Sequence, residues 1–577
     1  MFKTGFNKTW LVAAMLLASL GLTTGCSDDS DSLGAADNLG GASNNDSNND
    51  VNNDGNNDVN NDFNNDVNNG FDDSDFNNDG PDQDDEEPGG NTNVNLGGAQ
   101  DFGFFRRQLD DNRVPQVGEF DAAGFFAEHF TPLPEPDCGE RICVQAMMGV
   151  MGNLVNRNNC TMLQIGLNSP LEADEANRPP LSLAVVVDVS GSMAANGKME
   201  FVRQGLTQLV NELYDDDQIA IITYETRVDV PFEMAPVRGN RNDLLEIVQA
   251  LRPQGSTNLY DGLERGYRQV FENYDSGRQN RVILLSDGEP TAGITDADEI
   301  VDMSRAFNSD GVGLTTVGLG TDFNYTMMRD LAEQADGNFY FLENSAAVDE
   351  VFTQELAYFT VPVAFDLVMD VRTGENYTLG AARGSRLWED TEYGGHIEIP
   401  SVFLAHRTSP DDIEPGGGRR GGGSALLVEL MPADDNGQEL TAGQVATVDL
   451  EFREPGTNEI ITDSVEVTVP FAPWDTPLRG FFENEIVEKS FVMLNIYVGL
   501  EMACGLFHEG DPIEGIVVLD RLIAAAEDYN DSVNNGMGDT DIEFDIDLME
   551  QLIEVILANG GSEPEDSGID EDPWPAD

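Results

Sequence analysis

Five oxygen-bearing side chains hold the chemistry that this sequence offers. Asp188, Ser190 and Ser192 alternate within Asp188-Val189-Ser190-Gly191-Ser192. Thr257 lies in Gly255-Ser256-Thr257-Asn258, and Asp287 in Leu284-Leu285-Ser286-Asp287-Gly288. The three segments stand about 65 and 30 residues apart. Carboxylates and hydroxyls form an oxygen-only donor set of the kind preferred by Mg²⁺, Mn²⁺ or Ca²⁺, and neutral hydroxyls leave such an ion with spare positive charge. Alone, Asp-x-Ser-x-Ser is a weak signal, because Asp and Ser also cap helices and make turns. Three such segments, each at the end of an apolar element, carry more weight.

The elements that must position these residues are readable on either side of them. Leu181 to Val189 is an apolar strand. Met199, Val202, Leu206, Leu209 and Leu213 follow at spacings of three and four, one face of a helix. Ile219 to Tyr224 is a second strand, and Val228 to Met234 an edge strand interrupted by Pro231. Leu244 to Leu251 and Leu259 to Phe271 give helical faces. Arg281 to Leu285, Gly313 to Leu319 and Asn338 to Leu342 are further strands, separated by helical patterns. The alternation predicts an α/β fold, a doubly wound and mostly parallel sheet with helices on both faces. Such sheets bind ligands beyond the carboxyl ends of strands where the strand order reverses, and Asp188 and Asp287 fall at such ends.

The three segments resemble the metal-ion-dependent adhesion site of the von Willebrand factor A (VWA) domain family, with all five motif positions filled. The resemblance covers residues 178–358. It implies direct ligation of a divalent ion (Mg²⁺, or Mn²⁺ or Ca²⁺) by Ser190, Ser192 and Thr257, with Asp188 and Asp287 acting through water or directly. It also implies an open coordination position for an Asp or Glu carboxylate of a partner protein. The order of a VWA domain followed by strands looks like bacterial exported VWA proteins and, more distantly, inter-alpha-trypsin-inhibitor heavy chains.

Charge narrows the partners. Lys and Arg number 30 and Asp and Glu 107, a net charge of −77. Phosphate binding needs clustered Lys and Arg, so nucleic acid is excluded as a partner. The acid excess serves solubility, and part of it sits in Ser27 to Gly90 and in the acidic tail, 561–577.

The N-terminus reads as a lipoprotein signal peptide, residues 1–26. Lys3 and Lys8 precede an apolar run from Trp10 to Leu22, and Leu22-Thr23-Thr24-Gly25-Cys26 resembles a bacterial lipobox, with Thr23 where Leu is usual. Cys26 would be lipidated, with Ser27 after it favouring the outer membrane of a Gram-negative cell envelope. Residues 27–100 read as a disordered tether, with Asn-Asn-Asp repeated at period four from Ser43 to Gly70. About 70 such residues span roughly 45–50 Å, enough to hold a domain clear of a lipid surface. Calcium capture by the repeated Asp is the rival reading, but the acids do not alternate as in calcium loops.

The other cysteines are Cys138, Cys143, Cys160 and Cys504, an even number in an exported chain, so one or two disulfides are expected over zinc. Residues 101–177 read as lead-in strands carrying the cysteine cluster. Residues 360–475 read as a small β-sandwich, from the alternating runs Val363 to Met369, His396 to Leu404, Ala425 to Leu430, Ala446 to Phe452 and Ser464 to Val469, with Gly416 to Gly423 as a loop. Residues 476–560 read as a helical segment, where Glu501 and flanking charges argue against a membrane span. Asp539, Asp541, Glu543, Asp545, Asp547 and Glu550 fall at calcium-loop spacing, yet Phe544 stands where such a loop needs Gly, and an acidic helix N-terminus explains them as well. His508-Glu509 lacks the second His of a zinc protease, and Gly191-Ser192 lacks the rest of a nucleophile elbow, so the chain reads as a binding protein and not an enzyme.

Overall fold

The computed structural model describes residues 92–94 and 101–561, except 156–158, 173–177, 321–322, 334–336, 343–346, 349, 356–357, 359, 406–424, 434–441, 458 and 474–479. The signal peptide with Cys26, the tether, the loop at 416–423 and the tail from 562 lie outside the described residues.

The predicted α/β sheet is present with six strands: β4 (Leu181–Asp188), β5 (Gln218–Tyr224), β6 (Val228–Pro236), β7 (Gln279–Ser286), β8 (Gly313–Leu319) and β9 (Phe339–Leu342). Their order is β6-β5-β4-β7-β8-β9. All neighbours are parallel except β5 and β6, whose register slips twice, one slip falling opposite the segment holding Pro231, as expected where proline removes a ladder donor. Alternation along β4 divides its side chains between two apolar layers. Val185 and Val187 pack with Val202, Leu206 and Leu209 of α3 (Lys198–Glu212) and Leu244 and Val248 of α4 (Arg241–Ala250). Ala184 and Val186 pack with Leu259, Leu263 and Tyr267 of α5 (Leu259–Phe271) and with residues of α6 (Ala297–Asn308) and α7 (Tyr325–Glu333). Burial on both faces accounts for the uninterrupted apolar run 183–187 in β4.

Residues before and after this domain form a second, antiparallel region. β1 (Thr92–Val94), β2 (Cys143–Gly152) and β3 (Asn159–Ser169) join β10 (Pro362–Thr373), β11 (Tyr377–Arg383), β12 (Glu389–Thr391), β13 (Gly394–Ala405), β14 (Leu426–Pro432), β15 (Gly443–Arg453), β16 (Ile460–Val469) and β17 (Phe481–Phe482). The sequence reading kept 101–177 apart from 360–475. In the structure β3 pairs with β14 and β1 with β13, and one apolar core holds Met148, Leu163 and Ile165 together with Leu367, Ile397 and Val448. The α/β domain is therefore inserted between strands of one antiparallel region. A disulfide joins Cys138 to Cys143, and Cys504 is a buried free thiol.

The first part of 101–177 is helical, not stranded: α1 (Gly103–Asp110) and α2 (Ala122–Phe126). Phe104 of α1 enters the α/β core beside Phe323, Tyr325 and Phe341, while Phe105 and Leu109 enter a helical core. That core is built by α8 (Glu485–Glu509), α9 (Pro512–Ser532) and α10 (Thr540–Ala558). By length and composition α8 could cross a bilayer, but Phe491, Leu494, Ile496 and Leu500 are buried within the helical core, as in a soluble core helix. The calcium-loop spacing lies on a regular helix. Asp539 caps α10, accepting from the amides of Asp541 and Ile542. Asp541 accepts from Lys489 Nζ at 2.9 Å, and Asp545 faces His129 Nε2 at 2.7 Å. The acids thus meet buried side chains of neighbouring segments, and the calcium reading gives way to the helix-terminus reading.

Candidate metal centre

The site lies where the chain leaves β4 for β5 on one side and later returns to β7 on the other, the reversal of strand order that opens a crevice at the carboxyl edge. Asp188 ends β4 and Asp287 follows β7; both are fully buried. Asp188 Oδ1 accepts from the Ser190 amide at 2.7 Å, and Oδ2 accepts from Ser286 Oγ at 3.1 Å. Ser190 Oγ and Ser192 Oγ lie 2.9 Å apart, and Ser192 Oγ donates to Asp287 Oδ1 at 2.8 Å. The other oxygen of Asp287 accepts from Lys198 Nζ at 2.9 Å. Four of the five predicted ligands therefore form one hydrogen-bonded network across two adjacent parallel strands.

Thr257 is buried but stands apart from that network: among the described residues, no hydrogen bond joins its hydroxyl to the other four side chains. Its loop is nevertheless docked. Gly191 donates to the Gly255 carbonyl at 3.2 Å, and Gln254 to that of Val189 at 2.7 Å. Thr257 is held from the far side, its amide donating to Thr291 Oγ1 and its carbonyl accepting from the amides of Thr291 and Ala292. Close approach of the loops needs Gly255, with φ of 72°, because a Cβ there would meet the Glu225 carboxylate at 2.0 Å.

Burial disfavours charge at the site's centre. Desolvation, with a smaller push from Asp287, raises the Asp188 carboxyl to about 6 despite the Ser190 amide and hydroxyl that favour its ionised form. Tyr224, beside Asp188 in β5, is held well above the usual phenol range by burial and then by the Asp188 charge. Closely placed buried carboxylates, with hydroxyls oriented by them, fit a hard divalent cation, whose charge would offset the desolvation. Sequence reasoning missed Ser286, Thr291 and Lys198. Ser286 was visible as the residue just before Asp287; Lys198 was visible as the first base after the motif, but a search for oxygen donors passes over it.

Residues 182–354 match the model of the von Willebrand factor type A domain, so the inserted domain is of that type. The protein YfbK of Escherichia coli (strain K12) is 31% identical over 192 residues, covering 33% of this chain and 33% of YfbK. Inter-alpha-trypsin inhibitor heavy chain H3 of Mesocricetus auratus is 28% identical over 170 residues, covering 27% of this chain and 18% of that one. The matches span less than half the length of these curated relatives. Among solved structures, the von Willebrand factor type A protein from Catenulispora acidiphila aligns with 68% of this chain and 88% of its own, at 13% identity and a TM-score of 0.46.

Proposed function

We propose that this chain is a divalent-metal-dependent protein-binding module of the bacterial cell envelope. Asp188, Ser190, Ser192, Thr257 and Asp287 hold Mg²⁺, or Mn²⁺ or Ca²⁺ in its place, and the ion receives an Asp or Glu carboxylate from a partner protein. The observation that carries this reading is the hydrogen-bonded Asp188–Ser190–Ser192–Asp287 cluster at the carboxyl ends of β4 and β7, in which Asp188, Ser190 and Asp287 are buried and Ser192 is exposed. When bound, the ion supplies a Lewis-acidic centre for an anionic oxygen. The protein's part is positional: the Ser190 amide and Ser286 hydroxyl orient Asp188, and the two serine hydroxyls link it to Asp287. Lipidation of Cys26 and the acidic tether would anchor the module to the outer membrane while letting the domain reach a partner. At physiological salt the Debye length is about 8 Å, so contact chemistry at the ion outweighs the repulsion of an acidic partner by the chain's distant negative charge.

A pull-down from envelope extract tests the proposal with wild type, Thr257→Ala and wild type in EDTA. The reading expects one set of captured proteins to be lost equally in the last two samples. Equal capture in all three would remove the binding role and favour an envelope scaffold that needs no metal.

A further inference from the structure

Lys198 is in a place where local folding does not favour a lysine. It is the first residue of α3, where the positive end of the helix dipole disfavours a cation. It is also buried, its side chain 6% exposed, and lysine is almost never buried without a partner. The chain makes room for it. Gly320 follows β8 with φ of 76°, and a Cβ there would meet Lys198 Cε at 2.5 Å and Nζ at 2.9 Å. The partner for which these costs are borne is Asp287, whose Oδ2 accepts from Nζ at 2.9 Å while its Oδ1 accepts from Ser192.

Charge at the site follows directly. Two ionised carboxylates and one ammonium sum to −1, so a divalent ion brings the buried cluster to +1. Without Lys198 the loaded cluster would be neutral. Glu225 stands at the rim, half-buried, with its carboxylate engaged by Thr226 and accompanied by Arg227, so it offsets this charge only weakly.

We propose that Lys198 is a built-in electrostatic regulator of the metal site: it holds the divalent ion loosely and leaves the loaded site with one excess positive charge, which an anionic ligand then neutralises. This rests on the metal-binding reading and adds to it a residue that contributes no ligand to the ion. The ammonium acts through Asp287, which makes it a positioning residue. In the metal-free state it also keeps the Asp287 carboxylate in register with Ser192.

Isothermal titration of the full chain with Mn²⁺ alone, at pH 8, tests it in wild type, Lys198→Met and Lys198→Gln. Methionine keeps most of the apolar stem and removes the charge; glutamine removes the charge and retains a donor for Asp287. A unit charge about 5 Å from a divalent ion weakens its binding by roughly tenfold even at the dielectric constant of water. The expected result is a Mn²⁺ Kd at least tenfold lower in whichever variants retain the wild-type circular dichroism. Damage to the fold loosens binding, so a purely structural role does not produce this tightening. Variants that bind Mn²⁺ with the wild-type Kd, or more weakly, would overturn the role of Lys198 while leaving the metal site standing. No Mn²⁺ heat in wild type or variants would overturn the metal reading itself.

Discussion

Replacing Asp188 by Asn should stabilise the metal-free protein and abolish its response to metal. Burial raises the Asp188 carboxyl from 3.8 to about 6 in the folded state. The stability associated with a raised carboxyl is fully present below the unfolded value and is lost as pH rises through the folded one. At pH 7.5 the ionised side chain therefore costs the metal-free fold up to about 3 kcal/mol, from about two units at about 1.4 kcal/mol each. Asparagine keeps a carbonyl oxygen to accept from the Ser190 amide, and its NH₂ can donate to Ser286 Oγ, so about 1–3 kcal/mol should be recovered after imperfect hydrogen bonding. Urea denaturation in EDTA at pH 7.5 should thus rank Asp188→Asn above wild type, with the gap closing as pH falls from about 6 towards 4. Mn²⁺ at about a hundred times its Kd adds about 2.7 kcal/mol to a protein that binds it, so the ranking should close or invert for wild type only. A variant less stable than wild type in EDTA at pH 7.5, or one equally stabilised by Mn²⁺, would refute both the buried-charge argument and the role of Asp188.

Two further outcomes follow from other parts of the chain. Lys489→Met should lower stability by about 3–5 kcal/mol in urea denaturation, because the fully buried Asp541 loses its cation, as does the partly buried Asp539; a loss below about 1 kcal/mol would show that the pair is not the tie between α8 and α10. Cys26→Ser should move the protein from the membrane fraction to the soluble fraction of lysed cells with the domain intact; continued partition with membranes, together with no palmitate label on wild type, would dismiss the lipobox reading.

The α/β domain was legible because its signals are local. The apolar run 183–187 of β4, a helical face at spacings of three and four and an edge strand holding Pro231 each follow from side chains within a few residues, and the structure places all three as the pattern predicts. The placement of Asp188 and Asp287 at strand ends followed from the same signals. The pairing of β3 with β14 did not, since its partners are separated by the whole inserted domain and alternation states which face is apolar, not which strand lies alongside. The acids after Asp539 show how one spacing supports two readings. Alternation suggested a calcium loop, whereas Asp541 and Asp545, four apart on one helix face, were already set to meet partners from another element. Lys198 escaped notice because a counter-ion has no motif; its reason appears only when Gly320 and Asp287 are brought beside it.

The central claim is that the five oxygen-bearing side chains hold one divalent ion. Crystals soaked in Mn²⁺, with anomalous differences measured near the manganese edge, test it most directly. The account predicts a single strong peak among Asp188, Ser190, Ser192, Thr257 and Asp287. An empty map there, or a peak only at other carboxylates of this acidic chain, would contradict it.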